Sequence, residues 1–229
     1  MAAKDRMAVL SAMMEQGVVP VFYHPEAEIC VNVIQACANG GAKCAEFTNR
    51  GDFAARVFFD VSRHFARADP SVIMGVGSVV DAPTAGIYIA SGAKFVVGPL
   101  INADVARTCN RRGIPYSPGC GSATEIGDAQ ELGCEIVKLF PGACVGGPDF
   151  VRSVMAPMPW TRIMPTGGVE PTEESLRAWF RAGIVACGIG SGLITKQLLD
   201  AKDYQGIEDK VRKTVKLIRT IRAEIAGKR

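Results

Sequence analysis

The sequence predicts an α/β protein folded as a (β/α)8 TIM barrel with an extra N-terminal helix. Short apolar runs alternate with longer amphipathic segments eight times, and no linker rich in Pro, Gly or Ser interrupts this alternation. Buried strands separated by helices are typical of a parallel sheet covered by helices. Eight units in 229 residues fit a closed barrel better than an open doubly wound sheet, which has the same local pattern. We therefore expect one barrel domain over residues 1–229.

The eight predicted strands are short apolar runs bounded by turn residues. Their length and their enrichment in Val, Ile and Phe favour buried strands over helices. They span residues 18–23, 44–49, 72–79, 95–100, 116–120, 136–141, 162–167 and 185–190.

The predicted helices lie between these strands and carry the expected end signals. N-cap residues precede four of them, at Asp81, Asn102, Ser122 and Thr172, and glycines follow the same four helices and the helix over 27–38. The helical segments are 27–38, 53–66, 82–91, 103–112, 123–132, 149–156 and 173–182, with one earlier helix over 4–15 and one or two helices over 193–226.

Composition excludes several classes of function. The net charge of +3 is too small to indicate nucleic-acid binding, and no apolar run reaches the roughly 18 residues that a membrane span needs. Eight cysteines without a C-x-x-C pair, several inside apolar segments, are typical of a reduced, cytoplasmic protein. With two histidines in the chain, a site of several histidine ligands is excluded, and we expect no metal and no cofactor.

Lys138 is the most informative residue, because it interrupts the apolar run of the sixth predicted strand. A charged amine in a buried strand must be paired, neutralised or used. Side chains alternate along a strand, so Val137 and Leu139 share the face that suits the outer helices, and Lys138 points inward with Ile136 and Phe140. Burial lowers the pKa of a lysine, and a neutral amine attacks carbonyl carbon. The structural alternative is a lysine at a strand end with its head in water.

The second predicted strand carries a complementary set of polar residues. Glu46, Thr48 and Arg50 share one face, which would place a carboxylate, a hydroxyl and a guanidinium in one barrel interior. The alternative is an edge strand with an ordinary surface Glu–Arg pair. Buried neighbouring strands favour the interior site.

Two glycine-rich turns follow the seventh and eighth strands, where barrels commonly hold a phosphate. They are Thr166-Gly167-Gly168-Val169 and Gly188-Ile189-Gly190-Ser191-Gly192. Neither turn completes a dinucleotide-binding fingerprint.

A lysine, an acid and an arginine in one cavity indicate Schiff-base chemistry. The lysine amine would attack a ketone, and the resulting iminium would act as an electron sink. A carboxylate would move the protons, and an arginine would bind a substrate carboxylate through two parallel hydrogen bonds.

The chain resembles the KDPG/KHG aldolases, the class I aldolases of 2-keto-3-deoxy-6-phosphogluconate and 4-hydroxy-2-oxoglutarate. The resemblance covers roughly residues 15 to 200 and is carried by motifs in the family's order. These are Gly40-Gly41 leading to Glu46-Phe47-Thr48-Asn49-Arg50, Gly75-Val76-Gly77-Ser78-Val79, Ser117-Pro118-Gly119-Cys120, Val137-Lys138-Leu139-Phe140-Pro141, Pro165-Thr166-Gly167-Gly168-Val169 and Gly188-Ile189-Gly190-Ser191.

The resemblance implies a cytoplasmic homotrimeric barrel that cleaves a small 2-keto-4-hydroxy acid to pyruvate and an aldehyde. Lys138 matches the Schiff-base lysine, Glu46 the general acid/base and Arg50 the residue that binds the pyruvyl carboxylate. The other matching positions are expected to contact substrate: Thr48, Ser78, Pro118, Phe140, Thr166, Gly167, Gly168, Gly190 and Ser191. The chain departs from the family pattern at Tyr23, where many members have arginine.

Two other functions fit the sequence. A sugar-phosphate isomerase or decarboxylase barrel could use Glu46 as a base and Lys138 as an electrostatic group, without a covalent adduct. A non-catalytic sugar-acid sensor on the same barrel would bind ligand without turnover.

Overall fold

Nine short strand segments form the framework of residues 5–227, the part of the chain that the computed structural model describes. Every strand pair in it is parallel. The segments are β1 (Val18–Phe22), β2 (Cys44–Thr48), β3 (Ile73–Gly77), β4 (Val96–Val97), β5 (Tyr116–Ser117), β6 (Gly119–Cys120), β7 (Val137–Leu139), β8 (Ile163–Pro165) and β9 (Cys187–Ile189).

Helices alternate with these strands along most of the chain, as predicted. The two C-terminal helices, α9 and α10, both follow β9. The bounds are α1 (Arg6–Gln16), α2 (Ala27–Asn39), α3 (Ala54–Ala68), α4 (Ala82–Ala90), α5 (Ala103–Arg111), α6 (Ala123–Glu131), α7 (Gly147–Met155), α8 (Glu173–Ala182), α9 (Lys196–Asp200) and α10 (Tyr204–Ala226). Parallel strands with alternating helices confirm the α/β class.

The strands are arranged in two parallel sheets. The larger has the order β5-β4-β3-β2-β1-β9, and the smaller has the order β6-β7-β8. The chain passes from one to the other at Pro118, and an isolated parallel bridge joins Thr166, after β8, to Gly188 in β9. Because the strands form two sheets, closure into the predicted (β/α)8 barrel stays a prediction.

Two predicted strands differ from those observed. The predicted fifth strand is split into β5 and β6 at Pro118, which has no backbone N–H to donate to a neighbouring strand. The predicted fourth strand is reduced to β4, which ends at Val97, before Gly98 and Pro99. The other six lie where they were predicted, with shorter ends.

The helix ends follow the sequence signals. Asp81, Asn102, Ser122 and Thr172 each accept a hydrogen bond from a backbone N–H in the first turn of the helix that follows, as N-caps do. The earliest helix was predicted over residues 4–15 and runs from Arg6 to Gln16, and residue 4 lies outside the described range.

Side-chain alternation divides the apolar residues into two clusters. Val137 and Leu139 of β7 belong to the large cluster that packs under the outer helices. Ile136 belongs to a smaller cluster with Val9 and Met13 of α1, together with residues from several strands. Lys138 follows Ile136 by two residues, and strand alternation therefore directs it to the same side as that inner cluster.

The C-terminal segment forms two helices, the five-residue α9 and the 23-residue α10. Within residues 5–227, no helix combines the length and the apolar character needed to span a membrane.

Candidate active site

Lys138 lies in the middle of β7 and is 5% exposed. Its backbone N–H donates to the Pro118 carbonyl at 2.9 Å, and its Nζ lies 4.6 Å from the centroid of the Phe140 ring. Burial lowers the pKa of its amine; the nearby Glu46 carboxylate opposes that shift, and the Arg50 guanidinium adds to it. A lowered pKa increases the fraction of the amine that is neutral, which is the nucleophilic form.

Glu46 lies in β2, which is separated from β9 by β1 in the larger sheet. The residue is 1% exposed. Burial raises its pKa, and the positive charges of Lys138 and Arg50 oppose that shift. Its Oε2 atom is buried and, within residues 5–227, has no hydrogen-bond partner. Burying a carboxyl oxygen without a hydrogen-bond partner costs free energy, and a substrate hydroxyl or a water molecule could remove that cost by donating a hydrogen bond.

Arg50 follows β2 and is exposed. Its Nε donates to the Ser78 hydroxyl at 3.4 Å, and Ser78, just after β3, has a left-handed φ of 61°. The preceding residue, Asn49, accepts a hydrogen bond from the Tyr88 hydroxyl at 2.8 Å. These two hydrogen bonds connect the loop that carries Arg50 to its neighbours β3 and α4.

An open cavity of about 380 Å³ lies at the carboxyl ends of the strands, a volume within the range of small-molecule sites. Most of the predicted substrate-contact residues line it. They are Thr48, Arg50, Phe140, Thr166, Gly167, Gly168, Gly190 and Ser191.

Four predicted site residues are not in the wall of this cavity. Lys138 and Glu46 are buried beside it, and Lys138 contacts the wall residue Phe140. Ser78 is linked to the cavity through Arg50, and Pro118 through its hydrogen bond with the backbone of Lys138. Eight of the twelve predicted site residues thus line the cavity, and the other four lie next to wall residues or to each other.

Two threonines in the wall have different hydrogen bonding. The Thr48 hydroxyl donates to the Phe22 carbonyl at 3.3 Å. The Thr166 hydroxyl is buried and has no hydrogen-bond partner in the described chain. Gly188 lies against it, since a Cβ added at Gly188 would be 2.4 Å from Thr166 Oγ1. The Thr166 hydroxyl is therefore a second polar group available to a ligand.

The turn after β8 requires glycine. Gly168 has a φ of 81°, and a Cβ there would lie 2.1 Å from the Cβ of Ala143 in the loop after β7. This close approach brings the turn at residues 166–168 against the loop that follows Phe140.

Five further wall residues belong to segments that the sequence singled out, namely the two glycine-rich turns and the position of Tyr23. They are Tyr23, Val169, Gly188, Ile189 and Gly192. Sequence reasoning missed the other five, whose position next to predicted strand ends and turns was the signal available. They are Val21, Phe22, Glu170, Ile194 and Leu199.

The roles of Tyr23 and His24 differ. Tyr23 lines the cavity, and its ring lies 5.5 Å from that of Phe47. His24 Nδ1 accepts a hydrogen bond from the Glu26 backbone N–H at 3.1 Å, which fits a role in holding the loop after β1. In the part of the chain described, no three His, Cys, Asp or Glu side chains are grouped so that they could hold a metal ion.

The fold and the site define an α/β enzyme class in which a buried lysine and a buried acid lie beside a cavity at the strand ends. The sequence model of the KDPG and KHG aldolases matches residues 9–210. The chain is 30% identical to a 2-dehydro-3-deoxy-phosphogluconate aldolase of Treponema pallidum over 212 residues, covering 93% of this chain and 98% of that protein. It is 28% identical to a KHG/KDPG aldolase of Escherichia coli K12 over 198 residues, covering 86% and 90%.

A solved structure gives the same result for the fold. The KDPG aldolase of Legionella pneumophila, crystallised with pyruvate captured as a covalent carbinolamine, matches with a TM-score of 0.81 at 22% identity over 91% of this chain and 97% of that one. The chain belongs to the KDPG and KHG aldolase family. Membership confirms the resemblance predicted from sequence and places the protein among the carbon–carbon lyases.

Proposed function

We propose that this protein is a class I aldolase that cleaves a 2-keto-4-hydroxy acid to pyruvate and an aldehyde. The candidate substrates are 2-keto-3-deoxy-6-phosphogluconate, which would give glyceraldehyde 3-phosphate, and 4-hydroxy-2-oxoglutarate, which would give glyoxylate. The observation that carries this proposal is that an amine and a carboxyl group, Lys138 and Glu46, are both buried and each changes the pKa of the other, beside a cavity at the strand ends.

The first stage is formation of a Schiff base on Lys138. The neutral Nζ attacks the C2 carbonyl carbon of the substrate, and the proton that the amine then loses passes to the carbonyl oxygen to give a carbinolamine. Burial raises the pKa of Glu46 and so favours its protonated form, which donates a proton to the departing hydroxyl, so water leaves and a protonated imine remains. Glu46 is then a carboxylate and can act as a base.

The second stage breaks the bond between C3 and C4. Glu46 accepts the proton of the C4 hydroxyl, the aldehyde forms, and the electron pair of the broken bond moves into the iminium to give an enamine. Glu46 returns its proton to C3, which restores the iminium, and then accepts a proton from the water that adds at C2. The resulting carbinolamine passes its hydroxyl proton to the amine nitrogen and collapses to pyruvate and the free Lys138 amine. Each proton that Glu46 donates is later recovered, so the cycle is balanced.

The cavity wall supplies the binding groups in this proposal. Arg50, the basic residue in the wall, binds the substrate carboxylate through two parallel hydrogen bonds, and Thr48 and Ser78 flank it. The remaining proposed contacts line the two sides of the substrate: Pro118 and Phe140 near Lys138, and Thr166, Gly167, Gly168, Gly190 and Ser191 toward the far end.

We also propose that the two sheets form one closed (β/α)8 barrel in a single domain. β5 and β6 are halves of one barrel strand, separated by Pro118, and the Thr166–Gly188 bridge joins the other edges of the two sheets. α1 supports this proposal as the extra N-terminal helix, because Val9, Leu10 and Met13 pack against inward residues of the strands.

We further propose a homotrimer. Several large apolar side chains are exposed near the loops after β2, β3 and β4, and the Val80 carbonyl accepts a hydrogen bond from Asn102, which brings two of these loops together. The exposed residues are Phe53, Val80, Ile87 and Leu100. Light scattering should give three chains, and Ile87→Lys should lower that mass, whereas Trp160→Lys, an exposed apolar residue elsewhere, should not.

A reduced, cytoplasmic location is part of the same proposal. Six cysteines besides Cys44 are buried thiols, and burial raises the pKa of each of them to about 12, which keeps them protonated and unreactive. Such thiols act as small apolar core residues and need no oxidising environment.

The test is pyruvate release from the two candidate acids by wild-type protein and by Lys138→Met. The wild type should release pyruvate, also after dialysis against a chelator, and the variant should lose at least about a thousandfold of that activity because it lacks the nucleophile. Methionine keeps most of the side-chain volume, so circular dichroism should report an intact fold. Turnover by the variant at the wild-type rate would contradict the proposal.

A further inference from the structure

The charges in the cavity wall are arranged asymmetrically. Within the described chain, Arg50 and Glu170 are the two wall residues that carry a full charge. Arg50 follows β2 and Glu170 follows β8, and strands β1 and β9 separate them in the strand order. A substrate whose carboxylate binds at Arg50 therefore extends its other end toward a negative charge.

The position of Glu170 is defined by its neighbours. A Cβ added at Gly192 would lie 3.1 Å from Glu170 Oε2 and 2.9 Å from Pro171 Cδ, so the carboxylate lies directly against the glycine-rich loop after β9. The Glu170 backbone N–H donates to the Ser175 hydroxyl in α8 at 3.0 Å, which fixes the chain at this point. The Glu170 carboxylate thus lies beside the loop that the sequence predicts as a phosphate-binding turn.

Among the described residues of the wall near Glu170, none provides a compensating positive charge. Lys196, the first cation in the chain after Gly192, pairs with Asp200 at 2.6 Å and is not part of the cavity wall. The Tyr23 hydroxyl lies on the Arg50 side of the cavity, since a Cβ added at Gly51 would be 2.7 Å from it. Thr166 contributes its buried hydroxyl, which has no hydrogen-bond partner in the described chain. We call Thr166, Glu170, Ser191 and Gly192 the distal rim.

We propose that the distal rim prefers the uncharged, hydroxylated end of an unphosphorylated 2-keto-4-hydroxy acid over the phosphate of 2-keto-3-deoxy-6-phosphogluconate and the second carboxylate of 4-hydroxy-2-oxoglutarate, and that Glu170 determines this preference. A carboxylate accepts hydrogen bonds from several hydroxyl groups, whereas a phosphate monoester carries about −1.5 to −2 charges and is repelled by it. Specificity of this kind rests on a repulsive element as well as an attractive one. This inference rests on the proposed aldolase function.

The test compares two substrates that differ by the phosphate alone, 2-keto-3-deoxy-6-phosphogluconate and its unphosphorylated counterpart. The wild type should have a kcat/KM for the unphosphorylated acid at least about tenfold higher. Glu170→Gln should reduce that preference severalfold, mainly by improving KM for the phosphorylated acid, and Glu170→Lys should reverse it. Glu174→Gln is the matched control, because Glu174 is exposed in the first turn of α8 and is outside the cavity wall, so the preference should not change.

The outcomes separate this inference from the proposed function. A wild-type preference for the phosphorylated acid, or an equal effect of the Glu170→Gln and Glu174→Gln variants, would overturn the role of Glu170 and leave the aldolase in place. Formation of a pyruvate adduct on Lys138 without cleavage of either acid would overturn the substrate class. Absence of both cleavage and adduct would instead contradict the proposed function itself.

Discussion

Gly77 lies against the carboxyl group of Glu46 so closely that a Cβ on Gly77 would be 1.8 Å from Glu46 Oε1. The two residues are in neighbouring strands, where Gly77 is paired with Thr48 and Gly75 with Glu46. The missing side chain at Gly77 therefore creates the space that the Glu46 carboxyl group fills. Glycine usually weakens a strand, and in β3 it has a positional role in the site.

Gly77→Ala should displace the Glu46 carboxyl group, because the methyl group and Oε1 cannot share that space. We expect kcat to fall at least about tenfold, since a general acid/base contributes roughly a hundredfold or more and acts only at hydrogen-bond distance. Steady-state pyruvate release measures the effect. Gly86→Ala is the control, because a Cβ at Gly86 in α4 meets nothing within 4 Å, and that variant should keep full activity. Equal activity of the two variants would contradict this role of Gly77.

Tyr88→Phe should weaken substrate binding without changing the chemical step. It removes the hydrogen bond from the Tyr88 hydroxyl to Asn49, the residue that precedes Arg50. We expect a KM several times higher and a kcat close to that of the wild type.

Tyr116→Phe provides the comparison for Tyr88→Phe. The Tyr116 hydroxyl donates to the Leu100 carbonyl at 3.0 Å, away from the loop of Arg50. Both variants lose one hydrogen bond of a buried tyrosine and should lose about 1 kcal/mol of unfolding free energy. If KM rises equally in both, the effect is one of general stability and Tyr88 does not position Arg50.

Thr166→Val should separate stability from binding. The Thr166 hydroxyl is buried without a partner in the described chain, so an isosteric methyl group should leave the unfolding free energy unchanged or raise it by up to about 1 kcal/mol. Substrate loses a hydrogen-bond partner, and KM should rise. In Thr214→Val, which removes a hydroxyl that donates to the Lys210 carbonyl at 2.9 Å, stability should fall and KM should not change. A loss of stability in Thr166→Val would show that its hydroxyl has a structural partner.

The lowered pKa of Lys138 predicts how stability depends on pH. At pH values between that pKa and the ordinary lysine value of about 10.4, the unfolded chain binds more protons than the folded chain. The buried amine therefore lowers the free energy of unfolding, and this loss of stability grows as the pH falls. A Glu46→Gln background removes the titration of Glu46. In that background, Lys138→Met should raise the unfolding free energy at pH 7 and raise it less at pH 10, as measured by urea denaturation. A gain in unfolding free energy that is larger at pH 10 than at pH 7 would contradict a lowered pKa of Lys138.

The sequence predicted most of the fold because its apolar runs are short and distinct. The inward direction of Lys138 followed from alternation alone, since Val137 and Leu139 could pack only against the helices, and the two clusters agree with this. Strand ends were less predictable. Pairing stops where a residue such as Pro118 cannot donate a hydrogen bond, and that depends on the neighbouring strand.

Residues whose role comes from a distant contact could not be found from the sequence. Gly77 is an ordinary strand glycine until Glu46 is placed beside it. Glu170 precedes Pro171 and is one of several acidic residues near the start of α8, and its place in the cavity wall depends on its contact with Gly192, more than twenty residues away in the chain.

Trapping with pyruvate and borohydride, followed by peptide mass spectrometry, tests the central claim most directly. We expect a reduced pyruvate adduct on the peptide that contains Lys138, and no adduct in Lys138→Met. The same treatment of Glu46→Gln should give a slower adduct on the same lysine, because the proton donor for loss of water is absent. An unmodified Lys138 in active wild-type protein, or an adduct on another lysine, would contradict Schiff-base catalysis by Lys138.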